Sequence, residues 1–284
     1  MTDLIAIQGL PFLACLAMLS ILGYVGLHVL KREVIFIDIT LAQVAAVGAI
    51  GAHVLFKVHA DSLQAQATAL GATLLAAAFF AIMRRRVREI PLEAIIGVSY
   101  AIAAAGALFL VGIAPGGHSH IQDMLSGSIL WVTPHDFLVS IPVLVAVGAC
   151  FYLFRKPFHA ISDDYEGAAA AGFNTLLWDF LFYVLVGIVI TTVVRIGGVV
   201  LVFCFLIIPA TVATMLASSW RVCLLLTWAI GSAAAAAGLT FAARLDFSVG
   251  PAIALWLGIT IALGGLGKSL KSRSRHGVSS PPGG

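Results

Sequence analysis

Apolar runs of about twenty residues recur along almost the whole chain and are cut only by short charged or turn-forming segments. A helix rising ~1.5 Å per residue needs a run of about that length to cross ~30 Å of hydrocarbon. Cutting the chain at its charges places nine spans, near 4–30, 34–56, 63–83, 92–113, 135–154, 174–194, 196–217, 222–243 and 249–267. In lipid every backbone polar group must be satisfied within its own segment. The expected fold is therefore an all-α polytopic membrane protein, a bundle of about nine transmembrane helices, with eight as the alternative count. Residues 1–267 form one membrane domain, and 268–284, ending in "SRSRHGVSSPPGG", read as a disordered tail.

Charge narrows the reading. Only 10% of residues are charged, against about 25% in soluble domains, which leaves no room for a soluble catalytic domain or a nucleic-acid-binding face. No nucleic-acid partner is expected. The first run has acid rather than base before it and exceeds a signal-peptide core in length, so it reads as a retained span. Of the 16 Lys and Arg residues, alternation puts only Lys57, Arg195 and Arg244 opposite the loop that carries Arg84, Arg85, Arg86 and Arg88. The positive-inside rule then places the N-terminus outside and the C-terminus in the cytoplasm. The expected location is a bacterial cytoplasmic (inner) membrane. Cys15, Cys150, Cys204 and Cys223 lie inside apolar runs without paired spacing and read as core residues.

Several local features bear on chemistry. Pro209 in "FLIIPATVAT" is expected to break or kink the seventh span. The stretch 121–133 is too short to cross and reads as interfacial or re-entrant. "ALGGLGKS", Ala262 to Ser269, has the spacing of a phosphate loop but ends a span, with no preceding strand or nucleotide domain, so it reads as a glycine-rich helix end. Any ATP must be handled by another chain. "DDYEGAAAAG", 163–172, is the main polar interruption. Its acids suit a helix N-terminus, its alanines a short helix, and Gly172 a turn at the C-terminal end. Such a helix can lie outside the bilayer and dock on a partner, or be a solvated loop helix without one.

Asp38, within the second span, faces a pore, a partner or water, or else caps the span near its cytoplasmic end. His53, His59, His118, His120 and His135, with Asp61, Asp123 and Asp136, map to the outer half or outer loops. Imidazoles and carboxylates grouped at an entrance can pass on a divalent cation, and His118-x-His120 is the best local candidate. Glu93 and Asp179 are expected to cap helices or pair with nearby bases.

Taken in order, "FIDITLAQVAAVGAIGA", "EAIIGVSYAIAAAGALFL", "MLSGSILWVT", "DDYEGAAAAG", "RIGGVVLVFCFLIIPATVA" and "DFSVGPAI" resemble the permeases of metal-ion ABC importers, the zinc, manganese and iron uptake group. Glu166, Ala168 and Gly172 match the E-x-A-x-x-x-G core of that family's cytoplasmic coupling loop, with Asp164 just before it and the loop spanning about 155–173. The resemblance implies a permease subunit that is not itself an enzyme and binds no cofactor. It implies a homodimeric pore, a separate ABC ATPase holding ATP, and an extracytoplasmic metal-binding protein that delivers the ion. The candidate ion-path residues are Asp38, Gln43, His53, His118 and His120. Many members carry histidine five residues after the aspartate of the second span, whereas here Asp38 is followed by Gln43. Oxygen donors suit harder ions such as manganese, and histidine suits zinc. The competing reading is a self-sufficient, ion-coupled secondary carrier, for which an inverted repeat and midplane acids are expected. A third, an intramembrane metalloenzyme, would need a string such as H-E-x-x-H, which is absent from the sequence.

Overall fold

The computed structural model describes residues 2–57, 62–87, 89–113, 129 and 132–276. These form ten helices: α1 (Thr2–Arg32), α2 (Ile37–Phe56), α3 (Leu63–Arg86), α4 (Leu92–Ile113), α5 (Pro134–Leu153), α6 (Arg155–Asp163), α7 (Tyr165–Ala170), α8 (Thr175–Leu216), α9 (Trp220–Leu245) and α10 (Val249–His276). Among the described residues seven helices are long and apolar enough to cross a membrane, and Val249–Gly265 is a shorter apolar helix. The expected interfacial segment at 121–133 lies almost wholly outside the described residues.

The difference between seven long helices and nine expected spans is largely resolved inside α8. At 42 residues it would be ~63 Å long if straight, about twice the hydrocarbon thickness. It is not straight. Gly198 has φ 75° and ψ 160°, a conformation essentially reserved for glycine. Before Gly198 the helix runs antiparallel to α1, with Phe182 beside His28 and Gly197 against Met18. After it the chain returns alongside α1, with Leu206 and Ala210 against Gly26. Two helical limbs joined at Gly198 thus make two passes. With α10 counted beside the long helices, the passes agree with the nine spans. Pro209, expected to bend this region, keeps helical backbone angles, so the break lies at Gly198 instead. A proline ring lacks only one donor, and a helix that is otherwise packed can continue through it.

The remaining elements alternate around this hairpin. Gln8 on α1 donates to the Leu239 carbonyl oxygen on α9 at 2.9 Å, while Gly23 meets Thr227 and Trp228, so α1 and α9 are antiparallel. Val212 of the second limb of α8 touches Gly264 of α10. α8 packs against α1, α2, α3, α5, α9 and α10, touches α6 and α7 more lightly, and carries much of the core, including Phe182, Tyr183, Val186, Val189, Phe205 and Leu206. By contrast Leu75, Leu108, Phe109 and Leu138 are exposed on outer helices, as lipid-facing side chains should be.

Lys31, Arg32, Arg84 to Arg86, Arg155, Lys156 and Arg221 gather at one end of the bundle, together with α6 and α7, while at the other Lys57 is the C-cap of α2 and Arg244 lies in the last turn of α9. α10 remains helical to His276, so the first residues of the stretch read as a disordered tail from Lys268 continue the last span. The glycine-rich "ALGGLGKS" is part of that helix and forms no loop that could cradle a phosphate.

Because Gly198 holds a conformation other residues reach only with strain, Gly198→Ala should destabilise the bundle by on the order of 1–3 kcal/mol. Gly258→Ala, helical and with open space around its Cα, should not. Thermal unfolding of the purified variants in one detergent compares the two; equal melting temperatures would mean that Gly198 is not a required turn.

Candidate functional site: a docking helix and a buried polar cluster

The interruption at 163–172 folds as a helical hairpin standing on the basic end of the bundle. α6 is amphipathic and buries Phe158, Ile161 and Ser162 against α1 and α8. A single short helix was expected in this loop; the structure has two, because the residues after Leu153 carry a buried stripe of their own. Asp164 is the N-cap of α7, its Oδ1 accepting from the Gly167 backbone N–H at 2.9 Å. At the other end Phe173 N–H donates to the Ala168 carbonyl (3.1 Å) and Gly172 N–H to the Ala169 carbonyl (3.1 Å), which is a Schellman turn. Gly172 holds the left-handed conformation this turn requires, φ 90°. Ala168 is buried, whereas Asp164, Glu166, Gly167 and Ala169 to Asn174 are exposed. α7 therefore shows a smooth, small-residue face, held rigid at both ends, beside a cleft of about 410 Å³ lined by Arg85, Tyr165, Ala169, Phe173, Asn174 and Thr175.

Beneath the hairpin lies a cluster of buried charge. Arg32, at the end of α1, donates through Nη1 to Asp179 Oδ1 at 2.6 Å, and neither side chain has solvent exposure. Its Nε donates to Ser162 Oγ of α6 at 2.8 Å, and the guanidinium lies 4.0 Å from the Phe182 ring centroid. His28 Nδ1 shares the same serine hydroxyl at 2.8 Å. Arg84, at the end of α3, reaches Asp179 Oδ1 and the Tyr183 hydroxyl, both at 3.4 Å, and sits 4.6 Å over the Tyr165 ring of α7. Further out, Lys31 pairs with Asp163, and Trp220 Nε1 donates to the same carboxylate at 3.3 Å. The expectation that Asp179 pairs with nearby bases holds. Glu93 accepts from Ile35 N–H (2.8 Å) and Phe36 N–H (3.2 Å), capping the turn that leads into α2. The sequence reading treated Arg32 and Arg84 as markers of membrane side and missed their joint role. An acid a turn inside an apolar helix, with basic ends on two other helices, was the available signal.

Among the described residues, the candidate ion-path residues Asp38, Gln43 and His53 are not brought together. Asp38, in the first turn of α2, is 1% exposed, and its Oδ1 has no hydrogen-bond partner among the described residues. Gln43 is half-buried on the same helix, but five residues on it lies ~140° round the axis. His53, half-buried in the last turn of α2, is ~22 Å further along the axis from Asp38. His118 and His120, with His59, Asp61 and Asp123, lie outside the described residues. His135 is exposed, and Asp136 completes a capping box with Thr133 at the start of α5. Among the described residues no three His, Cys, Asp or Glu side chains are grouped to hold a metal.

A multi-pass helical bundle with a short, doubly capped, exposed helix on one end, and within a span a buried acid one of whose oxygens has no partner among the described residues, fits a transporter's membrane subunit. The sequence matches the ABC 3 transport family over residues 10–266, and the chain belongs to that family. It is a permease, a transport component rather than a catalytic enzyme. A Chlamydia pneumoniae relative named as a probable metal transport system membrane protein is 26% identical over 95% of this chain and 90% of its own length. The Bacillus subtilis manganese transport system membrane protein MntD is 27% identical, covering 84% of this chain and 85% of its own. Among solved structures, PsaBC from Streptococcus pneumoniae in complex with Fab superposes with a TM-score of 0.74 at 20% identity, over 91% of this chain and 90% of that one, and so shares the fold.

Gly172→Val would force a β-branched residue to positive φ at a cost on the order of 1–3 kcal/mol, opening the C-terminal turn of α7. Amide hydrogen exchange at residues 172 and 173 should accelerate while exchange in α8 and α9 stays as in the wild type. Unchanged exchange at those two amides would show that Gly172 does not hold the turn.

Proposed function

We propose that this chain is the membrane-spanning permease subunit of an ATP-driven importer of divalent metal ions, with ATP bound and hydrolysed on a separate ABC ATPase. The observation that carries the reading is α7, a short, doubly capped, solvent-facing helix joined by buried contacts to the spanning helices. Such an element can seat in a groove of a partner and pass its movement into the bundle. Its end of the bundle is also the basic end, which the positive-inside rule assigns to the cytoplasm, where ATP is. The opposite end then receives the ion from an extracytoplasmic metal-binding protein. Two copies of the chain form the pore, in a bacterial cytoplasmic membrane.

Asp38 is the residue of this chain assigned to the ion path. A carboxylate wholly buried in a span, with an oxygen that accepts no hydrogen bond, is costly unless a cation or a neighbouring chain completes it. An amide at Gln43, where many members carry imidazole, leaves oxygen donors that suit a hard ion such as manganese better than zinc, and relatives named for manganese import or transport support that choice. The secondary-carrier alternative is disfavoured by the absence of a cluster of midplane acids among the described residues.

Asp38→Asn keeps the shape and removes the charge. Metal uptake in cells that depend on this transporter should fall roughly tenfold or more, as expected for losing an interaction worth over ~1.4 kcal/mol, at unchanged protein level in the membrane. Wild-type uptake by this variant would remove Asp38 from the ion path. For the subunit assignment, the chain should co-purify with its cognate ABC ATPase, and Glu166→Lys, which puts a cation at a helix start that favours anions, should weaken that association.

A further inference from the structure

The Arg32, Asp179 and Arg84 cluster has features that holding the fold does not require. A carboxylate between two guanidiniums is best satisfied when each oxygen takes one cation. Here both arginines converge on Asp179 Oδ1, whereas Asp179 Oδ2 and Arg32 Nη2, both buried, have no hydrogen-bond partner among the described residues. His28 Nε2, buried beside them, has none either. A short shift of any contributing element would move Arg84 to the second oxygen or make Arg32 bidentate. The cluster therefore has two hydrogen-bonded arrangements within reach.

Its members also come from the elements that must move together if α7 is pulled. Tyr165 belongs to α7 and Ser162 to α6, Arg84 ends α3, His28 and Arg32 end α1, and Asp179 and Tyr183 open the first limb of α8. From Tyr183 the contacts continue through Phe80 of α3 and through Gly187, which packs closely against Thr73 of α3 and lies near Leu41 of α2. Leu41 is one helical turn beyond Asp38. Packed interiors transmit such displacements because they switch between discrete arrangements rather than deform smoothly.

We propose that Arg32, Asp179 and Arg84 form the joint that passes displacement of the α6–α7 hairpin into α1, α3 and α8, and so are positioning residues for transport. The inference rests on the permease reading above. A buried pair replaced by apolar side chains of similar volume usually leaves stability intact, so Arg32→Met with Asp179→Leu separates coupling from folding. In the complex with the cognate ATPase, this double variant should assemble and hydrolyse ATP. Metal transported per ATP hydrolysed should fall about fivefold or more, the lower end of the coupling between linked sites. Arg84→Lys keeps the charge but loses the fork and should lower the same ratio at wild-type protein level. It also decides the matter if the double variant fails to accumulate. Transport per ATP at the wild-type value in Arg84→Lys, or in an assembled double variant, would overturn the joint. A wild-type chain that neither binds the ATPase nor stimulates its hydrolysis would instead refute the permease reading itself.

Discussion

An arginine and an aspartate with no solvent exposure on either side chain meet where α1, α3, α6 and α8 converge. Each ion taken from water alone carries a penalty of several kcal/mol, so neither would persist in an apolar bundle without the other. The pair fixes the end of α1 to the start of α8. Through Ser162 it also fixes the hairpin that presents α7. The side-chain hydrogen bonds of the basic end converge on that contact.

The remainder of the bundle is arranged around α8. Its first limb carries Asp179 at the basic end, Gly198 turns the chain, and the second limb returns along α1 to Leu216. A two-pass core element of this kind makes contact with nearly all other helices. Movement entering at Asp179 is therefore felt by the helix that holds Asp38. In the proposed function this is the physical link between the exposed α7 on one end and an acid inside a span.

How much of this was legible from the sequence follows from range. Span existence depends on local apolar runs, so the seven long apolar helices and the shorter one at Val249–Gly265 were readable, and the division between 194 and 196 fell close to the turn at Gly198. The cap at Asp164 and the turn at Gly172 are also local and were read from residue type. Pro209 was expected to break or kink its span; its backbone angles stay helical, and the non-helical residue is Gly198, because whether a proline breaks a helix is set by its surroundings, which the sequence does not display. The cluster of Arg32, Arg84 and Asp179 was not readable as a unit, since its members are 95 and 147 residues apart in sequence and each has a simpler local explanation. Asp38 was singled out by chemistry, but only the fold shows it fully buried with an unpartnered oxygen. Gln43 illustrates the converse, since five residues of separation look close in sequence yet turn the side chain to another face.

The account's central claim is that this chain moves metal only when a separate ATPase drives it through α7. The most direct measurement is manganese flux into proteoliposomes containing the purified chain, with and without its cognate ATPase and ATP on the side that carries α7. The account predicts flux only when both are supplied. Metal accumulation by the chain alone, driven by an ion gradient, would contradict it.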